Sequence, residues 1–189
     1  YETWAREGQP EVKQTLAQYG YCLDILSEST NEKVQSMLIY TKEAKDKWLE
    51  WAKTGTYKVR RALLKYEECA EILANDPVDE IRAGAVLYHP QYVNCLIGKP
   101  GIETFIAMQK VLVEQATPEQ EAYDYYMENI ERFELDYKQE IKDTDEEVIK
   151  RYRKLNKVLA EKYEAMKLPV TTLASTMTWE QLREAGNPL

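Results

Sequence analysis

Histidine occurs once in the 189 residues, phenylalanine twice and cysteine three times, and this scarcity removes whole classes of chemistry. With a single His89, and with Cys22, Cys69 and Cys95 far apart and in no CxxC pair, the usual His/Cys zinc site cannot be assembled, so no metal is expected. Three widely spaced thiols also suit a reducing compartment, and a cytoplasmic setting is expected. No apolar run approaches the roughly 20 residues of a membrane-crossing helix, and no basic-then-apolar start suggests a secretory leader, so no membrane partner is expected. Basic charge is in deficit too: the formal net charge is -8, which makes nucleic acid an unlikely ligand. Glycine and proline number seven each beside 44% hydrophobic residues, which excludes disordered and collagen-like chains.

What the chain does contain is self-similarity. Shifted by 47 residues, Trp4, Ala5, Gly8, Val12, Leu16, Tyr19, Cys22, Ile25 and Leu26 fall on identical residues at Trp51, Ala52, Gly55, Val59, Leu63, Tyr66, Cys69, Ile72 and Leu73. Internal repeats on this scale indicate stacked units that bury their apolar faces on one another. Each unit divides again. Val12, Val34, Val59 and Ile81 each open an apolar run, at spacings of 22, 25 and 22 residues, with Leu16, Leu38, Leu63 and Ala85 one helical turn later. Gly20, Gly55, Asp76-Pro77, His89-Pro90 and Gly98-Lys99-Pro100-Gly101 punctuate the runs as helix stops. Trp4 and Trp51, and likewise Cys22 and Cys69, are expected in the core because they recur. The pattern is already running at Trp4, which leads to the expectation that more of it precedes Tyr1.

The stretches Glu11–Leu26 and Ala74–Ala85 carry a family resemblance. The second has Asp76-Pro77, then Ile81-Arg82, then Ala83-Gly84-Ala85, and both resemble short HEAT-like or leucine-rich-variant α-solenoid repeats. The resemblance implies an all-α fold: a short right-handed HEAT-like solenoid over residues 1–100. It also implies that the basic residue after each Val or Ile (Lys13, Arg60, Arg82) ties neighbouring units together through an acidic partner, with Asp76 close to Arg82. Gln35 replaces that basic residue in the second half-unit, which also carries extra residues around Thr41 to Asp46. The His-Glu pairs of HEAT-type metal hydroxylases are absent.

Residues 101–189 read as a second part, a long antiparallel helical hairpin with a short terminal helix. Ile102 to Glu114 has enough apolar residues to close the solenoid. Capping boxes at Thr117-Pro118-Glu119-Gln120, Thr144-Asp145-Glu146-Glu147 and Thr178-Trp179-Glu180-Gln181 then open two long helices and the last short one. The first arm, striped by Tyr123, Tyr126, Met127, Ile130, Phe133, Tyr137 and Ile141, is expected to run unbroken. Between 117 and 147 twelve carboxylates stand against three basic residues, whereas 148 to 167 holds seven basic residues and two acids. Such arms can flank their own seam, or the acidic one, with Tyr125, Glu128, Glu131 and Glu134, can face a basic partner.

Chemistry is thin. His89 precedes Pro90 at a break and suits a turn. Glu128, Glu131 and Glu134 lack the histidines of a di-iron bundle, and Gly98-Lys99-Pro100-Gly101 lacks phosphate-loop spacing. No catalytic residue and no cofactor are expected. Aromatics enriched at hot spots remain, and Trp48, Tyr88 and Tyr92 are the candidates for an exposed contact surface. The expected function is non-catalytic: an adaptor, scaffold or inhibitor that binds another protein or peptide. Two alternatives stand beside it. One is a phage or viral assembly protein that forms homo-oligomers through the hairpin. The other is an α-solenoid nucleic-acid enzyme using Lys58, Arg60, Arg61 and Lys65.

Overall fold

The computed structural model describes residues 1–115, 119–140 and 146–167, and among these every regular element is helical. The chain divides into two compact units, Tyr1–Glu140 and Ile141–Leu189. The first begins with α1 (Glu2–Glu7), α2 (Pro10–Gln18), α3 (Leu23–Leu26) and α4 (Glu32–Tyr40). A 3-10 turn, Lys45–Lys47, leads into α5 (Trp48–Thr54), α6 (Tyr57–Leu63), α7 (Glu67–Ala74) and α8 (Asp79–Tyr88). A 3-10 segment, Pro90–Leu96, precedes α9 (Ile102–Glu114), α10 (Gln120–Glu128) and α11 (Ile130–Glu140). The described part of the second unit is α12 (Glu146–Lys167), which stops before Pro169.

A 47-residue shift lays α1 to α4 on α5 to α8. The equivalence extends to single bonds: the Gly8 amide donates to the Trp4 carbonyl at 3.0 Å and the Gly55 amide to that of Trp51 at 2.9 Å, ending α1 and α5 alike. Packing builds two layers. In one, α2, α4, α6, α8 and α9 each lie against the next; in the other, α5, α7 and the segment Pro90–Leu96 follow one another. Leu16, Val34, Leu38, Val59, Leu63, Leu73, Ile81 and Val86 fill the space between them. Burying each such side chain contributes about 1.5–3 kcal/mol, which makes this seam the main source of stability. Tyr123, Tyr126 and Phe133 of α10 and α11 cover α9, with the Phe105 and Phe133 rings stacked 3.7 Å apart.

The unit-to-unit ties differ in detail from those expected. The Asp76 carboxylate pairs with Arg60, from the preceding half-unit, at 2.7 Å, and also accepts from the Val78 amide at 2.8 Å. Arg82 instead donates to the backbone carbonyls of Asp76 and Pro77, at 2.7 and 2.9 Å, and to that of Pro100. Lys13 and Arg60 likewise donate to the carbonyls of Arg6 and Gly55, at 2.8 and 2.7 Å. The shared role of these basic residues is thus to donate to carbonyls just before each helix begins, a bond that is buried for Arg82 with Asp76, part-buried for Arg60 and exposed for Lys13.

Three further expectations are corrected. The acidic arm is not one helix: it breaks at Asn129, whose side-chain amide donates to the Tyr125 carbonyl at 2.8 Å and so competes with the helix ladder. Trp4 is 58% exposed whereas Trp51 is 4% exposed, because among the described residues no helix lies beyond the outer face of the first unit. Cys69 is buried inside α7, whereas Cys22 is half-buried in a left-handed conformation just ahead of the shorter α3. The capping boxes at Thr117 and Thr144 and the terminal helix from Thr178 lie outside the described residues.

Candidate functional site

Because successive helices of one layer lie side by side, the i, i+4 row that each turns away from the core meets the rows of its neighbours. Ser36 and Tyr40 come from α4, Tyr57 and Arg61 from α6, and Glu80, Gly84 and Tyr88 from α8. Together with Lys65 and Glu103 they line an open groove of about 720 Å3. A second hollow of about 300 Å3 shares Ser36 and Tyr40 and continues past Gln14, Lys33 and Lys58 toward α2. Small side chains make the floor: Ser36, Ala62 and Gly84, where a Cβ on Gly84 would press on the Leu64 side chain at 2.7 Å. Tyr40 and Tyr88 stand up as walls, 75% and 62% exposed.

Polar groups cross the groove from helix to helix. Lys33 reaches Glu11 at 3.1 Å, Lys58 reaches Glu32 at 2.8 Å, and the Tyr57 hydroxyl donates to Glu80. The partners of these bonds are 22, 26 and 23 residues apart, one half-unit each. The hydrogen bond to the Glu80 carboxylate holds the Tyr57 phenol above its ordinary value, and that from Lys58, then Thr56, holds Glu32 below the usual carboxylate range. Asp79, just ahead of Glu80, reaches the start of α9. Its carboxylate accepts from the Glu103 and Thr104 amides, both at 2.9 Å, and from the Thr104 hydroxyl. It thereby caps α9 and sets Glu103 at the groove rim.

Of the three aromatic contact candidates read from the sequence, Tyr88 is in this groove. Trp48 is not an exposed contact: it is 2% exposed, its ring lies 4.3 Å from that of Tyr66, and its indole N–H donates to the Glu43 carbonyl at 3.0 Å. The irregular loop before it, with Lys42 and Ala44 at positive φ, leaves that carbonyl free for an indole to take. Tyr92 is half-buried within the 3-10 segment, away from the groove lining. Tyr125 is half-buried with its ring 6.0 Å from that of Phe133, while Glu128 and Glu131 are exposed; the Glu134 side chain lies outside the described residues. His89 ends α8 and its Nε2 lies 3.0 Å from the Leu64 carbonyl. The four-residue basic cluster is divided, since Arg60 serves Asp76, Lys58 serves Glu32, and Arg61 and Lys65 line the groove.

Tyr40 and Glu80 were not singled out from the sequence. A signal that finds part of the lining is the offset from each Val or Ile: two residues on stand Gln14, Ser36 and Arg61, three on stand Met37, Ala62 and Gly84, and six on stand Tyr40 and Lys65. Among the described residues no three His, Cys, Asp or Glu side chains gather as a metal site, and no helix is long and apolar enough to cross a membrane. The arrangement offers aromatic walls, a narrow floor and a mixed-charge rim, which can hold an extended or helical segment by shape. Compared with protein-family models, curated proteins and solved structures, the chain matches none of them.

Proposed function

We propose that this chain is a non-catalytic binding protein, an adaptor, scaffold or inhibitor, that docks a protein or peptide segment in the groove between Tyr40 and Tyr88. The groove itself carries the reading: about 720 Å3 of open volume running across three successive helices, walled by two exposed tyrosines. Exposed aromatics over small-residue floors are the usual anchors of protein interfaces, and stacked repeats use such extended faces for docking. In this reading residues 1–100 form a short right-handed HEAT-like solenoid, and residues 101–189 a long charged helical hairpin with a short terminal helix. The exposed Glu128 and Glu131 would then steer a basic partner surface toward the molecule. A cytoplasmic setting, in which the free thiols of Cys22, Cys69 and Cys95 stay reduced, belongs to the same reading.

The test compares the wild-type chain with Tyr40→Ala, Tyr88→Ala and the double variant in affinity capture from the native source, read by mass spectrometry. Both tyrosines are solvent-exposed, so the thermal midpoint is expected to stay within about 2 °C of wild type. A specific partner retained by wild type and lost by the double variant supports the reading. A partner retained equally by all four proteins refutes it.

A further inference from the structure

Gln35 holds the place in α4 that Arg82 holds in α8, 47 residues on. Lys13, Arg60 and Arg82 each donate to a carbonyl ahead of their own helix, whereas the glutamine side chain is shorter and carries no charge. The Arg82 guanidinium is held by the carbonyls of Asp76 and Pro77, at 2.7 and 2.9 Å, and by that of Pro100. All three have counterparts near Gln35. Ser29 and Thr30 stand 47 residues before Asp76 and Pro77, and Gly55 stands two residues ahead of α6 as Pro100 stands two ahead of α9.

Ser29, Thr30, Gln35 and Gly55 all border one hollow of about 200 Å3. The Gly55 carbonyl already accepts from Arg60 at 2.7 Å, but those of Ser29 and Thr30 accept no hydrogen bond from a described residue. Gln35 is only 8% exposed, and its side chain likewise makes no hydrogen bond with a described residue. Charge in the lining is negative on balance, since Lys47 pairs with Glu28 at 2.8 Å while Glu50 makes no ion pair among the described residues. Two carbonyls, a buried amide oxygen and an uncommitted carboxylate form a set of acceptors. The planar fork of a guanidinium, with five N–H donors and a fixed positive charge, matches such a set better than the compact ammonium of lysine.

We propose that this hollow is a binding site for a guanidinium, the arginine side chain of a partner protein, held by the Ser29 and Thr30 carbonyls and the Gln35 side-chain oxygen with Glu50 as its counter-charge. The chain binds its own Arg82 on the equivalent carbonyls 47 residues further on. The hollow shares no lining residue with the groove at Tyr40 and Tyr88, and stands independently of what that groove docks.

The probe is N-acetyl-arginine amide, titrated into the nitrogen-15-labelled wild-type chain beside the corresponding lysine amide and the neutral citrulline amide. Expected are saturable shifts of the Gln35 side-chain amide and of the Thr30 and Thr56 backbone amides, with arginine binding several-fold more tightly than either competitor. Equal binding of arginine and citrulline, equal binding of arginine and lysine, or arginine shifts that are scattered and do not saturate, as for an adventitious cation only, each overturn the proposal. Gln35→Arg supplies the guanidinium from within, so it should raise the urea midpoint and abolish the arginine shifts. A folded Gln35→Arg chain that keeps the wild-type midpoint and still binds arginine amide overturns the proposal as well. The comparison of the three amides uses the wild-type chain alone and decides the matter even where the variant does not fold.

Discussion

Gly101→Ala should be among the most damaging single-methyl changes in the protein, and Gly98→Ala three residues earlier should be mild. Both glycines have positive φ, +118° at Gly101 and +72° at Gly98. At Gly98 an added Cβ meets nothing within 4 Å, so the cost is the left-handed backbone alone, about 1 kcal/mol. At Gly101 the added Cβ would overlap the Asp79 carboxylate. The backbone there, with ψ at 144°, lies in a region that is essentially glycine's own and costs about 1–3 kcal/mol for any other residue. Displacing Asp79 removes the acceptor of the Glu103 and Thr104 amides, a helix cap contributing about 1 kcal/mol. Gly101→Ala should therefore destabilise by about 2–4 kcal/mol, shifting the thermal midpoint by about 4–16 °C in a chain of this size.

Circular dichroism during thermal and urea unfolding measures both variants. A cycle with Asp79→Ala isolates the clash: in that background Gly101→Ala should lose the cap component and keep only the backbone strain. Equal destabilisation by Gly98→Ala and Gly101→Ala, or strict additivity of Gly101→Ala with Asp79→Ala, would refute the reasoning.

Asp76→Ala leaves the Arg60 guanidinium, 15% exposed, without its carboxylate, and should destabilise by about 3 kcal/mol; adding Arg60→Met should recover part of the loss in urea unfolding. Burial pushes the Cys69 thiol up to about 11, so in native protein Cys69 should react with a thiol reagent far more slowly than the half-buried Cys22 and Cys95, the difference vanishing in denaturant. The Glu32 carboxylate is held below 4.5 by hydrogen bonds from Lys58 and Thr56, so its stabilising contribution is present above that pH and fades as the pH falls through the lowered value. The stability difference between wild type and Glu32→Gln, followed by urea midpoints from pH 7 to 3, should shrink accordingly; a difference that grows on acidification would contradict the assignment.

The positions of the helices in the first unit are legible in the residues because the relevant physics is local. A Val or Ile followed four residues later by Leu or Ala marks one face of a helix, Gly55 and the Pro-bearing breaks mark ends, and α9 spans the Ile102–Glu114 stretch whose apolar pattern predicts it. Even the interruption at Asn129 is written locally, in an amide side chain able to take a carbonyl one turn back. Repetition over 47 residues likewise follows from composition at matched positions, before any contact is known.

Which of the equivalent residues end up inside is another matter, because burial is decided by whatever lies across the interface, usually 22 to 27 residues away along the chain. Trp51 is covered since it borders Ser27, Thr30 and Gln35, while Trp4, alike in type and register, has no such neighbour among the described residues. The same holds for Arg60 and Arg82, identical in local setting yet bound to a carboxylate in one case and mainly to carbonyls in the other. Tyr40 and Tyr88 become groove walls only when α4, α6 and α8 line up beside one another. Residue pattern alone determined where each helix runs and which side of it is apolar; the stacking of one helix on the next decided which aromatic rings are covered and which are left facing solvent.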